Sequence, residues 1–430
     1  MPPLARTAVA IVLLLAPPPA RPADAPIPPA AWVVPGPVEL RVGFATPMTA
    51  AQAQALVGRA IRFGDAAAPA TVAIAGATLA DGGRTLILAT DPHPFQASYR
   101  LDLADGDAGA PPLAYTLAGA EASWAEGDGQ GDPAWTASLP EFGTARLARV
   151  AASRVADLAR PGRLTLRSRI ALPAGAKATF RLVADAPFEA TLGDANAAAG
   201  PGANGRFMAD LPFASTGDPA ELWAIVETGA GGKAPTLTLA AEGADADAAT
   251  RALLLPWASP APAVAADAAP PAAPFDLAGG DPARGAEVFR SQEARCSQCH
   301  RAAGQPQGGE VGPDLTDQAG RDLALIYRDL AEPSVVIRPD YITYTVARTD
   351  GQVAVGVLRA QGADALRILD TDAKATLIPR GEVADIQPSG ASVMPVGLAG
   401  ALGEARVRDL LAFLRAQPPA IPARPSRNDR

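Results

Sequence analysis

Through the first 250 or so residues, apolar and polar positions alternate with a period of two. Val38, Leu40, Val42 and Phe44 fall on one side of an extended segment, and Glu39, Arg41 and Gly43 on the other, the pattern of a half-buried strand. The same rhythm returns at Thr85 to Leu88 and at Tyr99 to Leu103, with turn chemistry at Asp81-Gly82-Gly83 and Asp105-Gly106. One helical patch, Ala50 to Ala60, interrupts it, so residues 34–118 read as a small β-sandwich. A second β-rich block occupies residues 119–257. In it Leu164, Leu166, Ile170 and Leu172 alternate with polar neighbours, and Phe180, Leu182, Phe188 and Leu192 continue a strand–turn–strand rhythm.

Beyond Ser259 the pattern changes. Residues 258–275 are dominated by Ala and Pro, the composition of a stiffened linker with too little apolar bulk for a core, so the flanking parts read as separate units. Downstream, Asp281-Pro282 caps a helix at Ala283 to Ser291, with Phe289 expected to face either the last helix or a bound cofactor. A last helix runs from Glu404 to Ala416 on Val407, Leu410, Leu411 and Leu414 and stops before Pro418-Pro419. Between them Thr343 to Arg348, Val353 to Leu358 and Leu366 to Leu369 predict short strands around Asp350-Gly351, a β insertion at about 340–388. Residues 418–430 read as a disordered tail. The predicted fold class is thus multidomain: an immunoglobulin-like and then a jelly-roll or lectin-like sandwich, followed by an all-α domain at 276–417 with a small β insertion.

The chemistry concentrates in that last domain. Cys296-Ser297-Gln298-Cys299-His300 uses both cysteines and one of the two histidines of the 430-residue chain. C-x-x-C-H is the signature of covalent c-type haem attachment: two thiols on one helical turn add to the vinyl groups of one porphyrin, and the adjacent imidazole ligates its iron. A structural or redox disulfide is the competing reading; a Cys-rich zinc site lacks the ligands. Met394, in Ser392-Val393-Met394-Pro395, is the one Met of this domain and the candidate second axial ligand. Met48, Met208 and His93 belong to other domains, and His93, in Asp91-Pro92-His93-Pro94, reads as a solvated loop residue.

Covalent haem attachment takes place outside the cytoplasm, and the N-terminus fits export. Arg6, the apolar run Ala8 to Ala16, and the small residues Ala20, Ala23 and Ala25 make residues 1–25 a signal peptide, too short to span a membrane. The expected location is the periplasm or cell envelope, with no transmembrane span. The formal net charge of -8 disfavours nucleic acid as a partner. From Gly280 onward 18 basic residues face 19 acidic ones, against 19 and 26 upstream, so the acidic surplus lies outside the last domain. Trp124, Trp135 and Trp223 could present aromatic platforms to a polysaccharide, although tryptophans more often pack in cores.

Residues 280 to 416 resemble the monohaem cytochrome c domain of large secreted proteins of Planctomycetes and Verrucomicrobia, the Pirellula/Verrucomicrobium haem-binding type. The resemblance rests on Gly285-x-x-x-Phe289, the C-x-x-C-H, Gly312-Pro313-Asp314-Leu315, Pro333-Ser334, Ser392-Val393-Met394-Pro395 and Asp409-Leu410-Leu411-Ala412-Phe413-Leu414. It implies that the backbone carbonyl of Pro313 accepts a hydrogen bond from His300. The stretch Val42-Gly43-Phe44 to Pro47-Met48, followed by a helix, is similar to bacterial immunoglobulin-like domains. The expected function is that of an exported electron carrier with one covalent haem c, held by Cys296 and Cys299 and ligated by His300 and Met394. Its partner would be a redox protein of unknown identity. The alternatives are the haem-bearing subunit of a sugar or alcohol dehydrogenase, and an envelope- or polysaccharide-binding module that carries the haem domain. No G-x-G-x-x-G follows a strand to supply a nucleotide site, and one C-x-x-C-H argues against a dihaem peroxidase.

Overall fold

The structure is a computed structural model, which describes residues 28–64, 69–103, 112–129, 131–147, 152–243, 245–261, 273–302 and 310–416. The expected signal peptide and terminal tail lie outside these residues, as does most of the expected linker. Among the described residues no helix is long and apolar enough to cross a membrane.

The first unit has β1 (Ala30–Pro35), β2 (Glu39–Phe44), β3 (Ala60–Phe63), β4 (Ala70–Ala80), β5 (Thr85–Thr90), β6 (Tyr99–Leu101) and β7 (Leu113–Tyr115). They pair in one path, β1-β2-β5-β4-β3-β6-β7. Between Ile74 and Gly76 the β4–β5 register shifts, a bulge that turns β4 so that its first part pairs with β3 and its second with β5. The sheet thereby wraps a core of Leu40, Val42, Leu56, Ile61, Leu86 and Leu88, all fully buried. The immunoglobulin-like expectation is corrected to this single folded sheet. Its helix, Ala50–Gln54, starts on a capping box in which Thr49 and Gln52 satisfy each other's backbone N–H.

The second unit contains β8 (Ala120–Glu126), β9 (Trp135–Leu139), β10 (Gly162–Ile170), β11 (Lys177–Ala184), β12 (Phe188–Leu192), β13 (Ala195–Ala198), β14 (Gly200–Pro201), β15 (Phe207–Ala214), β16 (Ala220–Thr228), β17 (Leu237–Glu242) and β18 (Leu253–Leu254). One sheet runs β13-β12-β16-β10-β8-β9 with β18 on β10, the other β14-β15-β11-β17. Their inner faces enclose one core. Trp124 is fully buried and donates its indole N–H to Thr228 Oγ1 at 3.0 Å, with the Arg160 guanidinium 4.9 Å from its ring centre. Trp135 is buried and bonds Asp157 at 3.1 Å. Neither is an exposed platform for a glycan.

The third unit departs from the all-α expectation. Four helical segments, Pro282–Arg290, Cys296–Cys299, Leu323–Ala331 and Leu398–Arg415, are joined by a full five-stranded sheet. Its strands are β19 (Thr343–Arg348), β20 (Val353–Gln361), β21 (Ala365–Leu369), β22 (Ala375–Pro379) and β23 (Val383–Pro388), in the order β22-β21-β20-β19-β23. The described residues are 39% strand and 20% helix, so an all-α cytochrome domain is not the organising unit. The last two strands escape sequence reading because Pro379 and Pro388 end them and their alternation is short.

One face of this sheet, with Val346, Leu358, Leu366, Ile368 and Ile378, shares its core with Val38 of the first unit. Arg380 donates to the Val38 carbonyl at 2.8 Å and the Thr90 carbonyl at 3.3 Å, and Asp91 accepts the Ala360 N–H at 2.7 Å. A Cβ on Gly76 would come within 2.6 Å of the Ala363 Cβ. The units are therefore docked, contrary to the separateness that the Ala/Pro composition predicts. His93 is also corrected: it is 2% exposed, bonded through Nε2 to the Tyr115 hydroxyl at 2.7 Å, and enclosed by Tyr99, Tyr115 and Trp257.

Two outcomes follow from this packing. A fragment spanning Asp276 to Arg430 loses the Val38 contact and should unfold, by circular dichroism, at a lower temperature than the same unit in the whole chain. Within the whole chain Arg380→Ala should cost about 1.5–3 kcal/mol in urea titrations, the range for hydrogen bonds to a charged group. Burial lowers the His93 pKa from 6.5 to about 4, so the unfolded chain binds a proton there before the folded one does. Its contribution is complete above pH 6.5 and falls as the pH drops from 6.5 towards 4. His93→Gln should flatten the pH dependence of urea stability in that window by one proton.

Candidate haem-attachment site

The first and last helices of the third unit cross at very short range. Asp281 caps the first helix through the N–H groups of Ala283 and Arg284, and Pro282 occupies its first position, where no N–H is needed. A Cβ on Gly285 would lie 1.9 Å from the Asp409 carbonyl oxygen, and one on Gly280 2.0 Å from that of Arg408. Only glycine lets the two backbones meet there. Asp409 then receives Arg284 twice, at 2.7 and 2.9 Å, and the Asp281 N–H at 2.7 Å. The Arg284 hydrogen bonds hold its carboxyl below the usual carboxylate range. Phe289, fully buried, packs on Phe413 with ring centres 5.4 Å apart.

The Cys296–Cys299 turn follows, capped by Arg295 in a left-handed conformation at φ +52°. The His300 N–H closes the turn onto the Cys296 carbonyl at 2.9 Å, and the Gly312 N–H bonds the Cys299 carbonyl at 3.1 Å. These bonds bring the 310–315 segment under the imidazole. His300 Nδ1 lies 2.8 Å from the Pro313 carbonyl oxygen, which can only accept, so the ring donates from Nδ1 and its lone pair sits on Nε2. Burial lowers the His300 pKa and keeps the ring neutral, as a metal ligand must be. A Cβ on Gly312 would fall 2.4 Å from His300 Cε1; the sequence motif contains this glycine but does not disclose that it makes room for the ring.

Cys296, Cys299, His300, Pro313 and Met394 all line one cavity of 640 Å³, within the roughly 300–1,000 Å³ range of small-molecule sites. Its walls are mostly apolar, from Phe289, Ile326, Leu330, Leu410 and Leu414 among others. Met394 is held by its own N–H on Ser392 Oγ at 3.1 Å, while the Ser392 N–H reaches Ser334 Oγ at 3.0 Å, tying the Met loop to the Pro333-Ser334 turn. Burial pushes the Cys296 thiol up to about 11 and raises Cys299 as well. A redox-active dithiol requires a depressed thiol, so the environment disfavours thioredoxin-like chemistry.

A covalent haem fits these residues. Both thiols and the imidazole border the same apolar cavity, the ring is locked in the ligating tautomer, and the thioether lines the cavity with them. Among the described residues no three His, Cys, Asp or Glu side chains gather to hold a metal ion. The expectation of a metal-binding protein is corrected to this extent: the side chains alone build no ion site.

No family model matches the chain, and no curated protein does. The resemblance to the planctomycete and verrucomicrobial cytochrome domain is accordingly withdrawn as a family assignment; the five-stranded sheet already departs from a helical cytochrome. Solved structures give short, remote likenesses. A β-glucosidase from Kluyveromyces marxianus is 12% identical over 29% of this chain and 16% of its own, with a TM-score of 0.25. An anti-sigma factor domain-containing protein from Clostridium clariflavum is 10% identical over 52% and 90%, at 0.24. The GH31 alpha-xylosidase from Xanthomonas citri is 10% identical over 50% and 24%, at 0.23. The chain spans less than a fifth of the β-glucosidase, and at such scores none of the three bears on fold or function.

Proposed function

We propose that the chain is an exported one-electron carrier that holds a single c-type haem through thioether bonds at Cys296 and Cys299, with His300 and Met394 as the axial pair. The observation that carries this reading is the convergence of all four side chains on one apolar cavity, with His300 oriented by Pro313. Bound there, haem supplies reversible one-electron chemistry at a potential set by its axial ligands and surroundings. The chain's own residues do the rest. Pro313 fixes the imidazole and raises its basicity towards a metal on Nε2. Phe289, Leu330 and Leu410 exclude water, which keeps the local dielectric low and limits solvent rearrangement when charge changes. The Ser334–Ser392–Met394 chain of hydrogen bonds presents the thioether from a braced loop. Export supplies the compartment in which both thiols can be joined to the porphyrin.

Protein secreted through a haem-maturation system should keep its colour after acid–acetone extraction and stain for haem in a denaturing gel. Cys296→Ser and Cys299→Ser should each sharply reduce holoprotein. An intact Cys296–Cys299 disulfide in the mature protein would overturn the reading. Met394→Ala should abolish the red-end sulfur-to-iron band of the oxidised spectrum and open the sixth position to cyanide. Gly312→Ala should misplace the imidazole and lower haem yield far more than Gly381→Ala, where the added Cβ meets nothing.

A further inference from the structure

The turn between β21 and β22 lies against the attachment site although it is 71 residues beyond Cys299 in sequence at its first position, Asp370. Thr371 lines the haem cavity. Ala373 and Cys299 pack against the same small apolar cluster of Val311, Val357 and Leu369. Arg295, which caps the Cys296–Cys299 turn, donates to Asp372 at 2.8 Å and to Gln298 at 2.9 Å. Asp370 holds the turn's shape by accepting the N–H groups of Asp372 and Lys374, both at 2.9 Å.

We propose that the Asp370–Lys374 turn is a positioning and charge-setting part of the attachment site, and that the Arg295–Asp372 pair tunes the reduction potential of the haem held at Cys299. The inference rests on the functional reading above. Both partners are well exposed, at 47% and 65%, so the pair adds little to folding stability. Its charges nevertheless stand at the attachment turn, where a negative charge favours the oxidised iron and a positive charge the reduced one. The cation and the anion therefore pull in opposite directions and largely cancel while paired.

Spectroelectrochemical titration of the full-length haem-loaded protein tests this. Asp372→Asn leaves Arg295 uncompensated and should shift the midpoint to more positive values. Arg295→Gln leaves Asp372 uncompensated and should shift it to more negative values. The double variant should fall between them, Asp372→Glu should stay at wild type, and both single shifts should shrink as salt is raised. The ultraviolet–visible axial-ligand bands should be unchanged throughout. Haem content is measured on every sample by the pyridine haemochromogen spectrum. Full haem loading with no shift, or with both single variants moving the same way, overturns the inference alone. Absence of covalent haem in wild type overturns the functional reading beneath it. Loss of haem from Asp372→Glu would show that the turn serves folding and would equally overturn the tuning role.

Discussion

The helical part of the third unit is organised by the contact between Gly285 and the Asp409 carbonyl. Two helices far apart in sequence touch backbone to backbone there, because residue 285 has no Cβ to keep them apart. That closeness puts Phe289 against Phe413 and brings Arg284 within reach of both Asp409 oxygens. The crossing anchors one wall of the cavity. From it the chain has only five residues, 291–295, in which to turn and present Cys296, so the position of the first helix largely fixes where the thiols stand. The Met loop leads into the first turn of the last helix, which Gly403, at φ +75°, sets off from the part that makes the crossing.

That Cys296, Cys299 and His300 stand together was legible in sequence because they are chemically unusual and adjacent, whereas Met394 was singled out only as the one methionine of its domain. Two cysteines and a histidine within five positions have few other uses, and Pro313 follows at a short distance along the chain. What could not be read is what depends on remote partners. Gly312 looks like any turn glycine until the His300 ring is seen above it. Arg295 and Asp372 are ordinary surface charges in sequence, made neighbours by the folding of a hairpin. His93, flanked by two prolines, has every local mark of a solvated loop, yet Tyr115 on β7 and Trp257 in the turn after β18 close over it.

Domain organisation shows the same division. Period-two alternation marks Val38 to Phe44 and Leu164 to Ile170 because each strand has one face in a core. The composition of residues 258–275 shows little apolar bulk but not that both ends are held, Ala258 in the first unit's core and Phe275 against Tyr327 with ring centres 5.7 Å apart, and it says nothing about whether the parts it joins adhere. They do, through Val38, Arg380 and the Asp91–Ala360 hydrogen bond. The five-stranded sheet thus has two tasks: one face seals against the first unit, and the opposite face, at Val357 and Leu369, abuts the Cys296–Cys299 turn.

The first unit is not finished by its own strands. Leu254, Leu255, Trp257 and Ala258 enter its core, the Leu255 N–H bonds the Leu117 carbonyl at 2.9 Å, and the Gln96 N–H bonds the Ser259 carbonyl at 2.7 Å. The second unit is therefore inserted between two parts of the first. During synthesis the inserted sandwich has nearly all its strands before the core that precedes it can close. The nascent first unit therefore stays incomplete until residue 258 has been added, and the sandwich, whose own core takes in Ala249 and Leu253, is completed at almost the same point of the chain.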